Sequence, residues 1–501
     1  MILEGGTIHT ADPALPRVRA LPIDDRGRIT RGVEAWEGET SAVSTERINL
    51  DGRTIIPGFV DAHVHFLSWA LDRLRVDVRD APTGAAALEL IAERAAADRA
   101  AGTDGTWLIA AGWTEAMLAE LNDPAAALDA ATGGRPAAVW ARDRHALWLG
   151  GAALAQLGGD AIRREDAAWA TPLPEPTRAE RQRAVALGQQ EAHRLGLTGI
   201  HDFERRGGRR TWQELDEQDR VTLRVASALS AEHLDAIDQL EMIAGFGSEH
   251  VRIAAVKGFL DGTVGARTAH MLEPYDDGGL GMDLLPTDDL IEVIRRSAAL
   301  GLPVALHAIG DAAVRSALDA LERTRANWAD LAETHGRPPR IEHAQLIHPA
   351  DLGRFAELGV IASMQPVHAA EDRAAAQAAW GTRCSGAYAW RPLVESGATL
   401  AFGTDAPISP LDPIATLAAA VAVPLLPGHE VDVATALTAM TVTPSSIVGL
   451  DRRVGRLAPG HFADLVVLDR DPFETPPEEL AAIQVVATMV GGRWVHGHPP
   501  W

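Results

Sequence analysis

Short apolar runs alternate with longer amphipathic stretches over most of the chain, from about residue 55 to residue 405. Apolar runs of about four to eight residues are typical of buried strands, whereas apolar residues at every third or fourth position are typical of helices. Alternating strands and helices predict a parallel sheet, because parallel strands need a crossover connection. Eight such units predict a (β/α)₈ barrel. The predicted barrel strands are Ile55–His65, Leu197–Asp202, Thr222–Leu229, Val251–Gly258, Pro303–His307, Arg340–His343, Val360–Met364 and Thr399–Asp405.

The two ends of the chain have a different pattern, in which short strand-like runs are broken by turn residues. Neither end contains enough of these runs to close a sheet alone. We therefore predict one composite β-sandwich domain that is formed by residues 1–55 together with residues 453–501. The barrel domain is then formed by residues 56–74 and 178–452.

A long interruption of about 130 residues separates the first two predicted barrel strands. Residues 75–177 contain a predicted helix, Gly84–Ala101, and predicted strands, Trp107–Ala111 and Ala137–Ala141. This segment is predicted to be an inserted α/β subdomain above the barrel. It is rich in tryptophan, which suits either a hydrophobic core or a wall for an apolar ligand, and the core is the simpler interpretation for each residue alone. These residues are Trp107, Trp113, Trp140 and Trp148.

The composition limits the class of partner. The 501 residues include 46 basic and 69 acidic side chains, and the net charge of −23 opposes binding to nucleic acid or to an anionic membrane. Cys384 is the single cysteine, so no intrachain disulfide can form, which fits a reducing cytoplasm. The N-terminus lacks a signal-peptide pattern, and the most apolar stretch, Ile414–Leu426, is too short to span a bilayer. We therefore expect a soluble cytoplasmic protein that acts on a small molecule, with a homodimer as the default oligomer.

The C-terminal ends of the strands form the active-site face of such a barrel. In this sequence those ends carry four histidines, a lysine and an aspartate. Residues two apart on a strand point to the same side, so His63 and His65 direct two imidazoles towards one point. Imidazole and carboxylate ligands suit zinc and similar divalent ions. The predicted metal-site residues are His63, His65, Lys257, His307, His343 and Asp405.

Each of these side chains has a simpler interpretation when it is taken alone. A single histidine is more often hydrogen-bonded within a core, and a lysine in an apolar strand usually extends its ammonium to water. Their shared position at strand ends favours the metal site. By contrast, His201 is assigned a structural hydrogen bond, and His496 and His498 belong to the distant terminal domain.

Several longer motifs follow one another in the order of a known family. The chain resembles the amidohydrolase superfamily, and within it the YtcJ-like metal-dependent hydrolases of amidohydrolase family 3. Any one motif is weak, whereas the ordered set is specific and spans nearly the whole chain. The motifs are IIPGFVDAHVHF (55–66), GW (112–113), DRHALW (143–148), VKGFLDGTVGARTA (256–269), HAIGDAAV (307–314), RIEHAQLI (340–347), MQPVH (364–368), FGTDAPI (402–408) and GRLAPGHFADLVVLD (455–469).

The resemblance implies hydrolysis of a non-peptide C–N bond, such as that of a linear N-formyl or N-acyl amide. It also implies two divalent ions per chain, with zinc as the first expectation and manganese, iron or cobalt as the alternatives. The ligand pattern of the family falls on the six residues given above, with Lys257 carboxylated by carbon dioxide to a bridging carbamate. Burial and positive neighbours would keep that amine neutral and reactive. A metal-activated hydroxide would attack the carbonyl, with Asp405 as the general acid and base.

A weaker set of candidates surrounds these ligands and is assigned to substrate binding. Arg267 can clamp a substrate carboxylate, with a structural ion pair as the equal alternative. The chain also departs from the family pattern at Arg144, where glycine is more usual, and this change places a large cation in the insertion. The predicted substrate-binding residues are Trp113, His145, Asp261, Arg267 and His368.

Two other functions are compatible with the same scaffold. The first is a mononuclear-metal deaminase or cyclic-amide hydrolase, which would need fewer ligands than the six that are present. The second is a non-catalytic metal-binding protein, which would be expected to have lost ligands. The complete set of ligands favours the binuclear amidohydrolase over both.

Overall fold

The computed structural model describes residues 1–30, 46–102, 107–142, 146–164, 166–276 and 278–499. The chain forms two compact units. One comprises Met1–His65 and Gln189–Trp501, and the other comprises Phe66–Gly188. Within the described ranges, no helix combines the length and the apolar character that crossing a membrane requires.

Strands from both ends of the chain lie in one sheet. They are β1 (Ile2–His9), β2 (Arg17–Pro22), β3 (Arg47–Asn49), β4 (Thr54–Pro57), β18 (Leu465–Leu468), β19 (Val485–Val490) and β20 (Arg493–His496). The order is β2–β1–β4–β18–β19–β20, with β3 beside β1. At the junction of the two ends, β4 and β18 run antiparallel with Ile56 opposite Val466. Leu3, Ile55 and Leu465 belong to a single buried cluster, so the two ends share one core.

Eight parallel strands form the nearly closed barrel, which confirms the predicted (β/α)₈ core. A bridge between Val64 and Ala406 joins the first strand to the segment that follows the last strand. The order along the sheet is the order along the chain. The strands are β5 (Phe59–Val64), β11 (Leu197–Asp202), β12 (Arg224–Ser230), β13 (Val251–Phe259), β14 (Val304–Ala308), β15 (Arg340–His343), β16 (Ile361–Met364) and β17 (Leu400–Phe402).

The first predicted strand, Ile55–His65, is wrong as a single element. The structure divides it at Gly58 into β4 of the terminal sheet and β5 of the barrel. A Cβ atom on Gly58 would lie 2.2 Å from the Thr198 side chain, so the chain passes too close to β11 for any larger residue. The last predicted strand also ends early, at Phe402, because the backbone N–H of Thr404 turns to the Asp61 carboxylate.

Helices follow the barrel strands and bury apolar side chains against them. In α11 (Asp311–Arg323), for example, Val314, Leu318 and Leu321 recur at helical spacing and are buried. The helices are α8 (Gly208–Asp216), α9 (Leu234–Gln239), α10 (Thr287–Ala299), α11 (Asp311–Arg323), α12 (Arg325–Glu333), α13 (Leu352–Leu358), α14 (Pro366–Glu371), α15 (Arg373–Trp380), α16 (Trp390–Glu395), α17 (Pro413–Ala422), α18 (Val433–Met440) and α19 (Val442–Ser446). Short 3₁₀ helices span Ala231–His233, Pro349–Asp351, Gly381–Gly386 and Pro477–Ala482.

The second compact unit contains a five-stranded sheet. Its strands are β6 (Val76–Asp77), β7 (Leu108–Trp113), β8 (Ala137–Ala141), β9 (Ala146–Leu149) and β10 (Ile162–Arg164). Their order in the sheet is β10–β9–β8–β7–β6. The unit spans Phe66–Gly188. Its first and last helices pack together, with Gly188 against Phe66 and Ala70. Its helices are α1 (Phe66–Asp72), α2 (Gly84–Ala100), α3 (Glu115–Ala119), α4 (Pro124–Thr132), α5 (Gly151–Leu157), α6 (Asp166–Trp169) and most of α7 (Arg178–Arg194), whose residues from Gln189 onward belong to the first unit.

A buried ion pair connects the barrel to the terminal sheet. Arg224, at the start of β12, donates from Nη2 to Asp464 Oδ1 at 2.9 Å and from Nε to the other carboxylate oxygen. The same carboxylate accepts the backbone N–H of Gly491 at 2.7 Å. Both charged side chains are almost fully buried, at 8% and 3% exposure. Neither charge can therefore be left without its partner at low cost.

We expect Asp464→Asn to destabilise the protein by about 3–5 kcal/mol, because it leaves the Arg224 charge buried without a counter-charge. The measurement is the midpoint of guanidinium unfolding. Glu479→Gln is the matched control, since it removes the exposed partner of Arg470 in the same part of the chain and should cost less than about 1 kcal/mol. Equal midpoints for the two variants would contradict the role of this ion pair.

Candidate metal centre

Three of the predicted ligands meet where the first and last barrel strands adjoin. His63 Nε2 lies 3.6 Å and His65 Nε2 lies 3.4 Å from Asp405 Oδ1. The backbone joins the two segments as well, since the N–H of Asp405 donates to the His63 carbonyl at 2.7 Å. The three side chains form a group whose donor atoms all lie within 4.8 Å of one another. Such a group can hold one metal ion.

A further carboxylate, Asp61, holds this junction in place. It accepts the backbone N–H of His63 at 2.9 Å and of Thr404 at 3.1 Å, and the Thr404 hydroxyl at 2.6 Å. Burial raises the pKa of Asp61 to about 6, against the lowering effect of these hydrogen bonds. Asp61 thus holds the backbone beside the candidate ligands, while its own oxygens accept hydrogen bonds.

His343 and His307 extend the group across the barrel. Their ring centroids are 4.5 Å apart, and that of His343 is 4.9 Å from that of His63. His343 Nδ1 donates to Gln365 Oε1 at 2.9 Å, which leaves the lone pair on Nε2. His307 Nε2 donates to the carbonyl of Gly262 at 3.1 Å, which leaves the lone pair on Nδ1. Both rings therefore keep one nitrogen for a metal.

Lys257 lies in the interior between two aromatic rings. Its Nζ is 4.8 Å from the Phe203 ring centroid and 4.9 Å from that of Phe259. The side chain is buried, and Nζ has no hydrogen-bond partner among the residues that the structure describes. Burial lowers the pKa of Lys257 to about 8. The neutral form of this amine is therefore much more populated near neutral pH than that of an exposed lysine.

The centre disfavours positive charge on its histidines. Burial, and after it the charge of Lys257, lowers the pKa of His65 to about 4 and that of His307 to about 3. The same two causes hold the pKa of His63 well below its usual value. The imidazoles are consequently neutral and able to act as ligands. Burial also acts on the Asp405 carboxyl, whose pKa it raises to about 8.

A buried series of charged and polar side chains behind His63 was not predicted from the sequence. Glu342 Oε2 accepts from His63 Nδ1 at 2.7 Å, and Arg340 Nε lies 2.8 Å from Glu342 Oε1. Arg340 Nη1 in turn donates to His201 Nδ1 at 2.7 Å, so the expected structural hydrogen bond of His201 is present. The available signal was the alternation of two charged residues, Arg340 and Glu342, on a four-residue strand, which directs both to one side.

The types of donor atom at this centre, and its buried polar atoms that have no partner, both fit a metal ion. Lys257 Nζ and Asp405 Oδ1 are among the buried polar atoms of the described residues that have no hydrogen-bond partner. Buried polar atoms normally have partners, and a bound ion would supply them here. Imidazole nitrogen and carboxylate oxygen are the donors that zinc and related ions prefer. The residues present therefore fit a divalent metal centre.

The comparison with known proteins agrees with this geometry. A model of the amidohydrolase family matches residues 46–496. The chain belongs to the amidohydrolase family. This confirms the resemblance that the motifs indicated.

Full-length relatives of this amidohydrolase are known in sequence and in structure. The putative amidohydrolase YtcJ of Bacillus subtilis is 27% identical and covers 99% of both chains. The N-substituted formamide deformylase of Arthrobacter pascens is 24% identical, over 98% of this chain and 97% of its own. An uncharacterized metal-dependent hydrolase from Pyrococcus furiosus superimposes with a TM-score of 0.79 at 28% identity, covering 94% of this chain and 99% of its own.

The predicted substrate-binding residues fall in different environments. Trp113 lies in the core of the second unit, where its indole donates to the Val139 carbonyl at 2.8 Å. Asp261 accepts the backbone N–H groups of His270, Ile309 and Gly310, so it braces the loops beside His307. Arg267 is exposed on the loop after β13, and His145, like Arg144, lies outside the described residues.

His368 is the predicted substrate-binding residue that the structure places at the centre. It is buried on α14, directly after β16, and it forms a second three-residue group with His343 and Asp405. His496 and His498, set aside as metal ligands, lie in and just after β20 of the terminal sheet.

Proposed function

We propose that this amidohydrolase is a metal-dependent enzyme that cleaves the C–N bond of a linear amide, with N-formyl and N-acyl amines as the substrate class. The observation that carries the proposal is the convergence of His63, His65, His307, His343 and Asp405 at one end of the barrel. The full-length similarity to a formamide deformylase supports the choice of a formyl or acyl amide.

Two ions, with zinc as the first expectation, are proposed for this centre. His63, His65 and Asp405 would hold one ion, and His307 and His343 would hold the other. Lys257 would supply the remaining oxygens as a carbamate, formed when its neutral amine adds to carbon dioxide and releases a proton. The buried and unpartnered Nζ supports this assignment, because a carbamate bound to cations would satisfy it.

The reaction needs a polarised carbonyl, a nucleophile and a proton carrier. A divalent ion, when bound, supplies Lewis acidity and a water of lowered pKa. Glu342 and Gln365 hold the rings of His63 and His343 in one tautomer, so both ligands are oriented before substrate arrives. Asp405 is placed to accept the proton of the nucleophile and to return it to the leaving amine.

The test is hydrolysis of a panel of N-formyl, N-acyl, carbamate and cyclic-amide compounds by metal-loaded protein. We expect release of a primary amine from the formyl or acyl compounds, and loss of this activity after chelation, because the ligands then carry no ion. Metal analysis of the same sample is expected to give close to two ions per chain. Lys257→Met should hold fewer ions, and labelled bicarbonate should give a carbamate carbon resonance in the parent protein alone.

Each alternative predicts a different result. Ammonia release from a cyclic amidine, with one ion per chain, would replace the proposal by a mononuclear deaminase that uses His63, His65, a further histidine and Asp405. Two ions without turnover of any compound would exclude this substrate class. Protein that binds no divalent ion under any loading condition would support a binding protein.

A further inference from the structure

We infer that His368 is not a metal ligand but the hydrogen-bond donor to the carbonyl oxygen of the substrate. Gln345 and Asp372 fix its tautomer in the form that this role requires. The inference rests on the proposed amide hydrolysis, because that reaction provides the oxygen that gains negative charge. We refer to His368, Gln345, Asp372 and Tyr388 as the His368 network.

The carboxylate of Asp372 sets the direction of each hydrogen bond in the His368 network. The Tyr388 hydroxyl donates to Asp372 Oδ2 at 2.8 Å, and Gln345 Nε2 lies 3.4 Å from the same oxygen. A carboxylate oxygen accepts only, so the amide of Gln345 must present its NH₂ group on this side. That NH₂ group also lies 3.3 Å from His368 Nδ1. Since an amide nitrogen only donates, Nδ1 must be the acceptor, and the proton of the neutral ring is on Nε2.

The opposite arrangement holds for two of the metal ligands. His63 Nδ1 faces a carboxylate oxygen of Glu342, and His343 Nδ1 faces the amide oxygen of Gln365. Both partners accept, so these rings carry the proton on Nδ1 and have a lone pair on Nε2. A different glutamine therefore contacts each of the two neighbouring rings. Gln365 presents its oxygen to His343 and Gln345 presents its NH₂ group to His368, so the two rings hold opposite tautomers. His343 is prepared to bind a cation, whereas His368 is prepared to donate.

The position of His368 suits contact with a reacting oxygen. Its ring is stacked nearly parallel to that of His343, with 6.4 Å between the centroids, and one of its nitrogens lies within 4.8 Å of donor atoms of His343 and Asp405. Nε2 is buried and forms no hydrogen bond of normal geometry with the described residues, although the Thr404 carbonyl is near. A buried N–H beside the candidate ligands is the arrangement that stabilises an oxyanion as charge develops.

The tautomer can be measured without substrate or metal. Histidine labelled with ¹⁵N is introduced into the metal-free protein, and the His368 signals are assigned by their loss in His368→Gln. We expect a protonated Nε2 and an unprotonated Nδ1. Gln345→Leu removes the donor opposite Nδ1, so the ring should then show both tautomers. A parent protein with the proton on Nδ1 would overturn the inference.

Substitutions then separate a donor from a ligand. His368→Gln retains an N–H group, whereas His368→Met removes it, and both should bind as many ions as the parent protein. His343→Gln is the matched control, because a ligand variant should bind fewer ions. Loss of one donor to an oxyanion costs about 10²–10³-fold in kcat, so His368→Met should fall by this factor on an N-formyl amine and His368→Gln by less.

Methylphosphonate serves as a probe that does not depend on turnover. Its anionic oxygens resemble those of a tetrahedral intermediate, and we expect its calorimetric affinity for the metal-loaded protein to fall more than tenfold in His368→Met. An ion lost from both His368 variants would assign His368 as a ligand and overturn the inference. If the parent protein hydrolyses no amide, the proposed function fails, while the tautomer, ion count and phosphonate affinity still decide whether His368 is a donor.

Discussion

Asp405→Asn is expected to lower kcat by at least about 10²–10⁴-fold, the usual contribution of general acid–base catalysis. Asparagine has the size of aspartate and retains one oxygen, but it cannot carry the transferred proton. The fold should survive, because Asp405 has a φ of 57° and asparagine adopts this left-handed conformation more readily than other non-glycine residues. The measurement is the steady-state rate on an amide that the parent protein hydrolyses, together with circular dichroism and the metal content.

A matched control for this variant is Asp412→Asn. Asp412 caps α17 by accepting the backbone N–H of Ala415 at 3.0 Å, and asparagine caps a helix equally well. The control removes one negative charge seven positions further along the chain and should keep the parental kcat. Comparable kcat values for Asp405→Asn and the parent protein would remove Asp405 from the proton-transfer step.

Glu342→Gln is expected to have the second largest effect, on metal affinity and on stability together. It removes the charge that fixes His63 Nδ1 and that neutralises the buried Arg340. Loss of such an orienting partner lowers metal affinity by about 10–100-fold. The unpaired guanidinium is expected to destabilise the metal-free protein by about 3–5 kcal/mol. Metal affinity is measured by competition with a chelator, and stability by the midpoint of guanidinium unfolding.

Glu333→Gln provides the comparison for this experiment. Glu333 is 71% exposed and lies 3.9 Å from Arg325, so its loss should leave both quantities nearly unchanged. The metal affinity and the stability of Glu342→Gln test two different roles of this residue. A fall in stability with parental metal affinity would restrict Glu342 to a structural role and contradict its role in orienting His63.

The alternating pattern predicted the barrel because most of its strands are bounded by polar or turn residues. Leu197–Asp202 and Arg340–His343 coincide with β11 and β15 for this reason. Ile55–His65 did not, since both of its halves are apolar and buried, and only the close contact of Gly58 with β11 separates them. Such a contact joins residues about 140 positions apart and has no local signature.

The candidate ligands were predictable because the parallel barrel brings the C-terminal ends of its strands together. Their supporting residues were not, since each support depends on a partner from another strand. His63 and Glu342 are 279 positions apart, and only the closure of the barrel brings them within 2.7 Å. The same limit applies to the tautomer of His368, because a glutamine in sequence does not reveal which end of its amide faces the ring.

The sheet shared by both chain ends also has a consequence for biosynthesis. Ile55 of β4 pairs with Val467 of β18, so one edge of β4 has no partner until about 400 further residues have been made. At about 5–20 residues per second, this takes roughly 20–80 s of translation. During that time β4 presents open backbone groups of the kind that promote aggregation. A nascent chain that stops before residue 464 lacks both the pairing strand and the carboxylate that neutralises Arg224.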